Sequence, residues 1–554
     1  MPRRRLSRLV LAALALSTAC GGDSPQPSTA RPVARARPRL VVLLVVDGLP
    51  RWSFDRKVRD SHAGFARLLR EGVDHEAAAL PYAATYTAPG HAALVTGGAP
   101  AVTGIVSNRW YDRQLGAEVD AIADADQPIL DVTGRPGGER ATGASPHRLL
   151  VDSVGDALSR STGGRARVVS LSIKRHAAVL MGGRRPTAAF WLDEGQVAFT
   201  TSRYYGETAP AWLRELAARH PIAPRLSRYV WRAADPARLA AVTGLGDDAP
   251  GERGLYGLGP VFPHRPAGVE EPAKALATTP LANDLLLEAA LAAIGGERLG
   301  QDEVPDLLCV SFSTHDLIGH GWGQESWESR DEFAHLDEVV GRLLDELDVR
   351  VGRGRWALVF SSDHGTTPVV EQSVAAGRAA RRVDPDALGK AMATAARAAA
   401  GPGEWIADSR EQHIYLTPAA RALPQARKDA LLDALLETLR ATPGIGLAVR
   451  GDALAAGCDA LPEPEALFCR SFHPDRSGDI LYSPSAGSVV MEKPWDTSTH
   501  GSISDDDRRV PLVVVEPGVA SRRNRRPVST LQVAPTLARL LGIAPPSHAS
   551  APPL

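Results

Sequence analysis

Three Asp and three His stand in four short motifs of this chain: Asp47, Asp316, His320, Asp363, His364 and His500. Asp47 closes an apolar run, Leu40 to Val46, and is followed by Gly48. Asp316 and His320 are four residues apart, a spacing that puts both on one face of a helical turn or in a compact loop. Asp363 and His364 are adjacent, so in a regular strand they would point opposite ways. Only an irregular turn brings both to one centre, and Gly365 supports such a turn. His500 lies in Thr499-His-Gly-Ser502. Carboxylate oxygen and imidazole nitrogen without thiolate are what two zinc ions require. Between the first two motifs lies Thr87-Ala-Pro-Gly-His91. A free Thr hydroxyl is a poor nucleophile, but coordination to zinc would lower its pKa and hold the alkoxide near neutral pH. Two metals and a hydroxyl nucleophile point to phosphoryl transfer. Pro89 and Gly90 are expected to make a turn from which Ala92 to Val95 continue as a helix, with free N–H groups that favour a phosphate. Thr87 also suits a helix N-cap, a role compatible with the first.

The elements that must position these residues are legible as apolar runs bounded by Gly, Asp or Pro. Residues 40–46, 167–172, 306–312, 356–361 and 510–516 read as buried parallel strands. Phe333, Leu336, Val340, Leu343, Leu344 and Leu347 recur at helical spacing, and Ser61 to Arg70 and Thr530 to Leu541 read the same way. This alternation predicts an α/β fold, a three-layer sandwich with a mostly parallel central sheet. The motifs fall at strand C-termini or in the loops that follow, where open α/β sheets bind ligands. Two stretches lack the alternation. Residues about 185–300 are rich in Trp, Tyr, Gly and Pro, and residues about 370–490 carry an Ala/Arg-rich helix near 376–400. Both read as inserted cap segments at the rim of the site.

The 554-residue chain exceeds what one core needs. Its formal net charge is −1, and loss of a leader holding Arg3, Arg4, Arg5 and Arg8 would leave −5, so it carries no footprint of a nucleic-acid binder. Residues 1–19 read as an export signal, with a basic start, the apolar stretch Leu9 to Leu16 and small residues before Cys20. Ala19-Cys20 resembles a bacterial lipoprotein cleavage site, although Leu stands at 16 rather than 17; ordinary cleavage nearby is the alternative. Residues 20–38 read as a disordered tether. The expected location is the periplasm or, through a lipid anchor at Cys20, the outer membrane of a bacterium. Cys309 lies in an apolar run and reads as a buried small residue. Cys458 and Cys469 would form a disulfide in an oxidising compartment.

Together, Val46-Asp-Gly48, Thr87 to His91, Gly104 to Asp112, Asp316 to His320, Ser362 to Gly365 and His500 to Ser502 resemble the alkaline phosphatase superfamily. More narrowly, they look like its nucleotide pyrophosphatase/phosphodiesterase-like branch, which includes PafA-type alkaline phosphatases. The resemblance spans about residues 39–545, leaving a short tail at 546–554. It implies that Asp316, His320 and His500 bind one zinc, and that Asp47, Asp363 and His364 bind a second together with Thr87. Asn108 would donate its amide N–H to a phosphoryl oxygen, and a covalent phosphothreonine would form and be hydrolysed. The implied enzyme is a monomer acting on small phosphate esters.

The branch divides on the remaining phosphoryl oxygens: a monoester dianion needs added cations, a diester an apolar pocket. PafA-like monoesterases carry Lys and Arg in a Ser-x-Lys-x-Arg segment. Here the segment is Ser172-Ile-Lys-Arg-His176, so Lys174 matches, His176 stands at the Arg position, and an Arg is displaced to 175. A His does not offer the bidentate fork of Arg. Three readings stand. Lys174 with His176 serves a monoesterase; Arg175 swings in instead; or the site has drifted toward diesters. A zinc-dependent phosphomonoesterase is the leading expectation, with a phosphodiesterase/nucleotide pyrophosphatase as the alternative. His91 and His315, which adjoin site residues, read as supporting groups, and His413 as a strand residue.

Overall fold

The strand Leu40–Val46 is buried along its whole length, and its residues alternate between two apolar layers. Leu40, Val42, Leu44 and Val46 face one layer, Val41, Leu43 and Val45 the other. Period-two alternation with both faces apolar is the signature of a central strand covered by helices on both sides. In the computed structural model, which describes residues 37–137, 143–455, 457–458, 461–491 and 496–554, this strand lies in the middle of the sheet. The leader, Cys20 and all of the tether up to residue 36 lie outside the described residues.

Among the described residues the main sheet has ten strands. Trp356–Ser361, Leu40–Val46, Asp306–Phe312, Val168–Ser172 and Ala188–Asp193 run parallel in that spatial order. One layer is built from Phe54, Phe65 and Leu68 with the apolar stripes of the helices Pro280–Gly296 and Trp327–Leu347. The other comes from Thr87–Thr96, Val154–Ser161, Arg175–Gly182 and Val533–Leu541. The fold is the α/β sandwich with a mostly parallel sheet that the sequence predicts.

Three expectations need correction. Leu512–Val515 is antiparallel to Trp356–Ser361, with Leu512 opposite Ser361, rather than parallel. The loop carrying His500 sits at the edge where the parallel strands end, so the next strand starts there and must run back. The helix expected near 376–400 begins only at Pro385, capped by the Asp384 side chain. Pro89 and Gly90 do not precede a helix: the helix begins at Thr87 itself, after Tyr86 in extended conformation.

Within residues 185–300, Ala188–Asp193 and Ala198–Ser202 are strands of the main sheet and Pro280–Gly296 covers it. Within 370–490, a separate antiparallel sheet forms in the order Ile406–Arg410, His413–Leu416, Ile480–Pro484, Ile445–Arg450. The helices Pro385–Ala400 and Gln425–Ala441 close its own core. Cys458 and Cys469 form a disulfide, with Cα atoms 5.4 Å apart, and Cys309 is buried and free. The last residues pack on the sandwich, where the Leu554 N–H donates to Thr536 Oγ1 at 2.9 Å. No described helix is long and apolar enough to cross a membrane.

Candidate active site

Asp47 is the first residue beyond its strand, and its N–H donates to the Phe312 carbonyl at 3.1 Å, extending the ladder by one step. The chain then turns at Gly48, φ +68°, where a Cβ would stand 2.3 Å from Asp316 Oδ1. Glycine is required there twice over, for the left-handed backbone and for the close approach. Asp316 occupies the first turn of the helix Thr314–Trp322 and His320 the next, so the two share a face, Nε2 to Oδ2 3.4 Å. Asp363 and His364 follow the strand Trp356–Ser361 in irregular backbone and converge as the sequence requires, Nε2 to Oδ2 3.3 Å. A Cβ on Gly90 would strike the Asp363 carbonyl oxygen at 2.3 Å, so the helix Thr87–Thr96 also approaches through a glycine.

All three expected imidazole ligands are oriented the same way. Nδ1 of His320 meets the Ser498 carbonyl at 3.0 Å, that of His364 the Gly365 carbonyl at 2.8 Å, and that of His500 the Thr85 carbonyl at 2.7 Å. A carbonyl only accepts, so each Nδ1 carries the proton and each Nε2 lone pair is left to bind a metal. The His364 and His500 rings lie 3.8 Å apart, and His320 is 5.3 Å from His500. Thr87 Oγ1 stands 3.4 Å from His364 Nε2, at the N-terminus of its helix, and is buried.

The donor set fits cations. Asp47, Asp316 and Asp363 are almost wholly buried, and both oxygens of Asp47, Oδ1 of Asp316 and Oδ2 of Asp363 lack a well-directed hydrogen bond and have ion-pair contacts at most. Three buried carboxylates so placed repel one another and are stable only against positive charge. Asp316, His320 and His500 bring one ligand atom each within 4.8 Å of one another, as do Asp47, Asp316 and His364. Asp47 and Asp363 form a further group with His91. His91, however, spends Nδ1 on the Thr87 carbonyl at 2.8 Å and Asp363 Oδ2 at 3.2 Å, and Nε2 on Ser311 Oγ at 2.9 Å. It therefore braces the Thr87 backbone and the Asp363 carboxylate.

The electrostatics follow. Burial, with Asp363 alongside, pushes the Asp47 carboxyl up to about 6. Burial would raise Asp316 too, but Lys174 and His320 outweigh it and hold that carboxyl well below the ordinary range. The Lys174 ammonium sits on Asp47 Oδ2 at 3.1 Å and on Asp316 Oδ2, a cation standing among the carboxylates. Lys174 thus reaches the centre. Arg175 and His176 are held elsewhere, on one carboxylate: Arg175 Nη2 lies 3.2 Å from Asp120 Oδ2 and His176 Nε2 3.0 Å from Asp120 Oδ1. Asn108 lies beside the residue that follows Thr87, its Oδ1 accepting from the Ala88 N–H at 2.8 Å.

The supporting roles of Lys57 and Gln324 were not legible in the sequence, whereas that of His315 was expected. Lys57, fully buried, donates to Gln324 Oε1 at 3.1 Å and Ser329 Oγ at 2.7 Å. Gln324 in turn donates to the Gly48 carbonyl at 3.1 Å. His315 meets Glu332 at 2.7 Å. No local pattern marks Lys57 or Gln324, because each is defined only by what surrounds it. His413 is a strand residue and Trp110 a core residue.

The family model of type I phosphodiesterase/nucleotide pyrophosphatase matches residues 41–506. Alkaline phosphatase PafA of Elizabethkingia meningoseptica is 29% identical over 525 residues, covering 94% of each chain. Alkaline phosphatase PhoV of Synechococcus elongatus is 30% identical over 532 residues, covering 94% of this chain and 93% of its own. The crystal structure of wild-type PafA superposes with a TM-score of 0.85 at 28% identity, over 94% of this chain and 98% of that one. The chain therefore belongs to the type I phosphodiesterase/nucleotide pyrophosphatase family, within the alkaline phosphatase superfamily.

Proposed function

We propose that this protein is a zinc-dependent alkaline phosphatase that hydrolyses phosphate monoesters through a covalent phosphothreonine. The observation that carries the reading is Thr87 Oγ1 at a helix N-terminus, 3.4 Å from His364 Nε2, which itself meets Asp47 and Asp363, in a centre whose three imidazoles each leave Nε2 to ligate. Asp316, His320 and His500 would hold one zinc and Asp47, Asp363, His364 and Thr87 the other. The ions, when bound, supply Lewis-acid stabilisation of the nucleophile and of charge on the leaving oxygen. Thr87 is the nucleophile; its Oγ bonds to phosphorus as the alcohol leaves, and water later breaks that bond. The Asn108 side-chain amide donates to a phosphoryl oxygen. The helix beginning at Thr87 adds the positive end of its dipole. Lys174 supplies the further cation that a dianion needs.

A second reading, a phosphodiesterase, is favoured by one observation: Arg175 and His176 are both engaged with Asp120. The deciding experiment is kcat/KM for an aryl phosphate monoester against the matching diester on zinc-loaded protein. A large monoester preference supports the first reading, and a diester preference replaces it with the second. The enzyme is read as exported and monomeric, either periplasmic or lipid-anchored at Cys20, with small phosphate esters rather than nucleic acid as partners. The Cys458–Cys469 disulfide supports an oxidising compartment.

A further inference from the structure

In the separate antiparallel sheet, Ile406–Arg410 and His413–Leu416 are joined by two residues, Glu411 and Gln412, with Arg410 opposite His413. Two-residue hairpin loops of this kind need φ > 0 at both positions, which is why Asn-Gly dominates them. Here Glu411 has φ 42° and Gln412 φ 60°. Neither residue is suited to the left-handed region, and such conformations persist only where the surroundings over-determine them.

The surroundings are the active site. Glu411 Oε2 accepts from the Asn108 N–H at 2.8 Å and from the Ser107 hydroxyl. The Asn108 side chain is held at its other end, its Oδ1 accepting from Ala88 N–H at 2.8 Å, one residue from the nucleophile Thr87. With backbone and carbonyl oxygen both fixed, the amide Nδ2 is the group Asn108 has left to offer. Gln412 is buried, and its Oε1 stands 2.7 Å from where a Cβ on Gly501 would be, next to His500. The strained turn thus touches two segments of the site that the main sandwich delivers.

We propose that Glu411 is a positioning residue for substrate binding: it fixes Asn108, so the inserted domain sets the aim of the phosphoryl-oxygen donor. The inference rests on the reading of Asn108 as that donor. An oxyanion misplaced relative to its donor loses most of the interaction, because charge-assisted hydrogen bonds are steep in geometry.

The test is a double-mutant cycle on the zinc-loaded, full-length enzyme, read as kcat/KM for an aryl phosphate. Glu411→Ala lowers it by about 100-fold, the scale set by misplacing a contact group. Glu411→Gln recovers most of this, because its amide oxygen still accepts from the Asn108 N–H. The Asn108→Ala/Glu411→Ala double variant is no slower than Asn108→Ala, the non-additivity of two residues acting as one. A Glu411→Ala loss that persists in full in the Asn108→Ala background overturns the proposal, as does equal impairment of the Gln and Ala variants. The same cycle read on inorganic phosphate affinity by calorimetry needs no turnover. If wild type cleaves neither ester, the functional reading fails on its own. Glu411 is then judged by phosphate binding, and equal affinity in wild type and Glu411→Ala overturns its role.

Discussion

The Lys174 ammonium stands 3.1 Å from Asp47 Oδ2, so the turn after the strand Val168–Ser172 neutralises a carboxylate delivered by the strand Leu40–Val46. It lies on Asp316 as well, and although burial opposes it, the two carboxylates hold its pKa well above the ordinary lysine range. Lys174→Ala removes a charge from the centre proposed to bind the phosphate. The expected loss in monoester kcat/KM is roughly 10- to 100-fold, the scale of a hydrogen bond to a charged group, with a smaller loss for the diester. Equal losses for both esters would show that Lys174 does not read substrate charge.

Asp120 engages both Arg175 and His176. Burial would raise its carboxyl, but His176 and Arg175 outweigh burial and hold it well below the ordinary range. Asp120→Asn releases Arg175 and His176 from a full charge. Monoester kcat/KM is expected to rise relative to diester by a few-fold, the weight of one partly screened charge. A falling ratio would mean that Asp120 aims these two side chains rather than withholding them.

Thr87→Ala is expected to abolish turnover, by about a thousand-fold or more, while two zinc ions per chain are retained in metal analysis, since six other ligands remain. Chelation should lower the melting temperature of both proteins and zinc restore it, because bound metal stabilises the folded state by mass action. Full activity in Thr87→Ala would remove the hydroxyl from the mechanism.

Lys57 ties stability to pH. Burial pulls its ammonium down to about 7. Between that value and the ordinary lysine range, the folded chain binds fewer protons at this position than the unfolded one. Stability from this group therefore rises with pH across that window, at up to about 1.4 kcal/mol per pH unit. Below pH 7 the penalty for burying the charge is fully present. In Lys57→Met, denaturant melts between pH 7 and pH 10 should lose this rise, and an unchanged slope would assign the pH dependence to other groups.

The residues that the structure brings together were legible because they sit in local patterns: an apolar run before Asp47 and Asp363, a four-residue spacing for Asp316 and His320, and a glycine beside Asp47, His320, His364 and His500. The layered fold was legible for the same reason, since a strand such as Leu40–Val46 declares by itself that both its faces are covered. Tertiary structure decided the rest. The direction of Leu512–Val515 depends on where the His500 loop must sit, and no residue of that strand encodes it. The meeting of Lys174 with Asp47 and of Arg175 and His176 with Asp120 depends on which strands become neighbours. The contact of Glu411 with Asn108 joins residues 303 apart in the chain. Local sequence sets propensity and periodicity, whereas a carboxylate's partner is chosen by long-range packing, and that is a property of the folded whole.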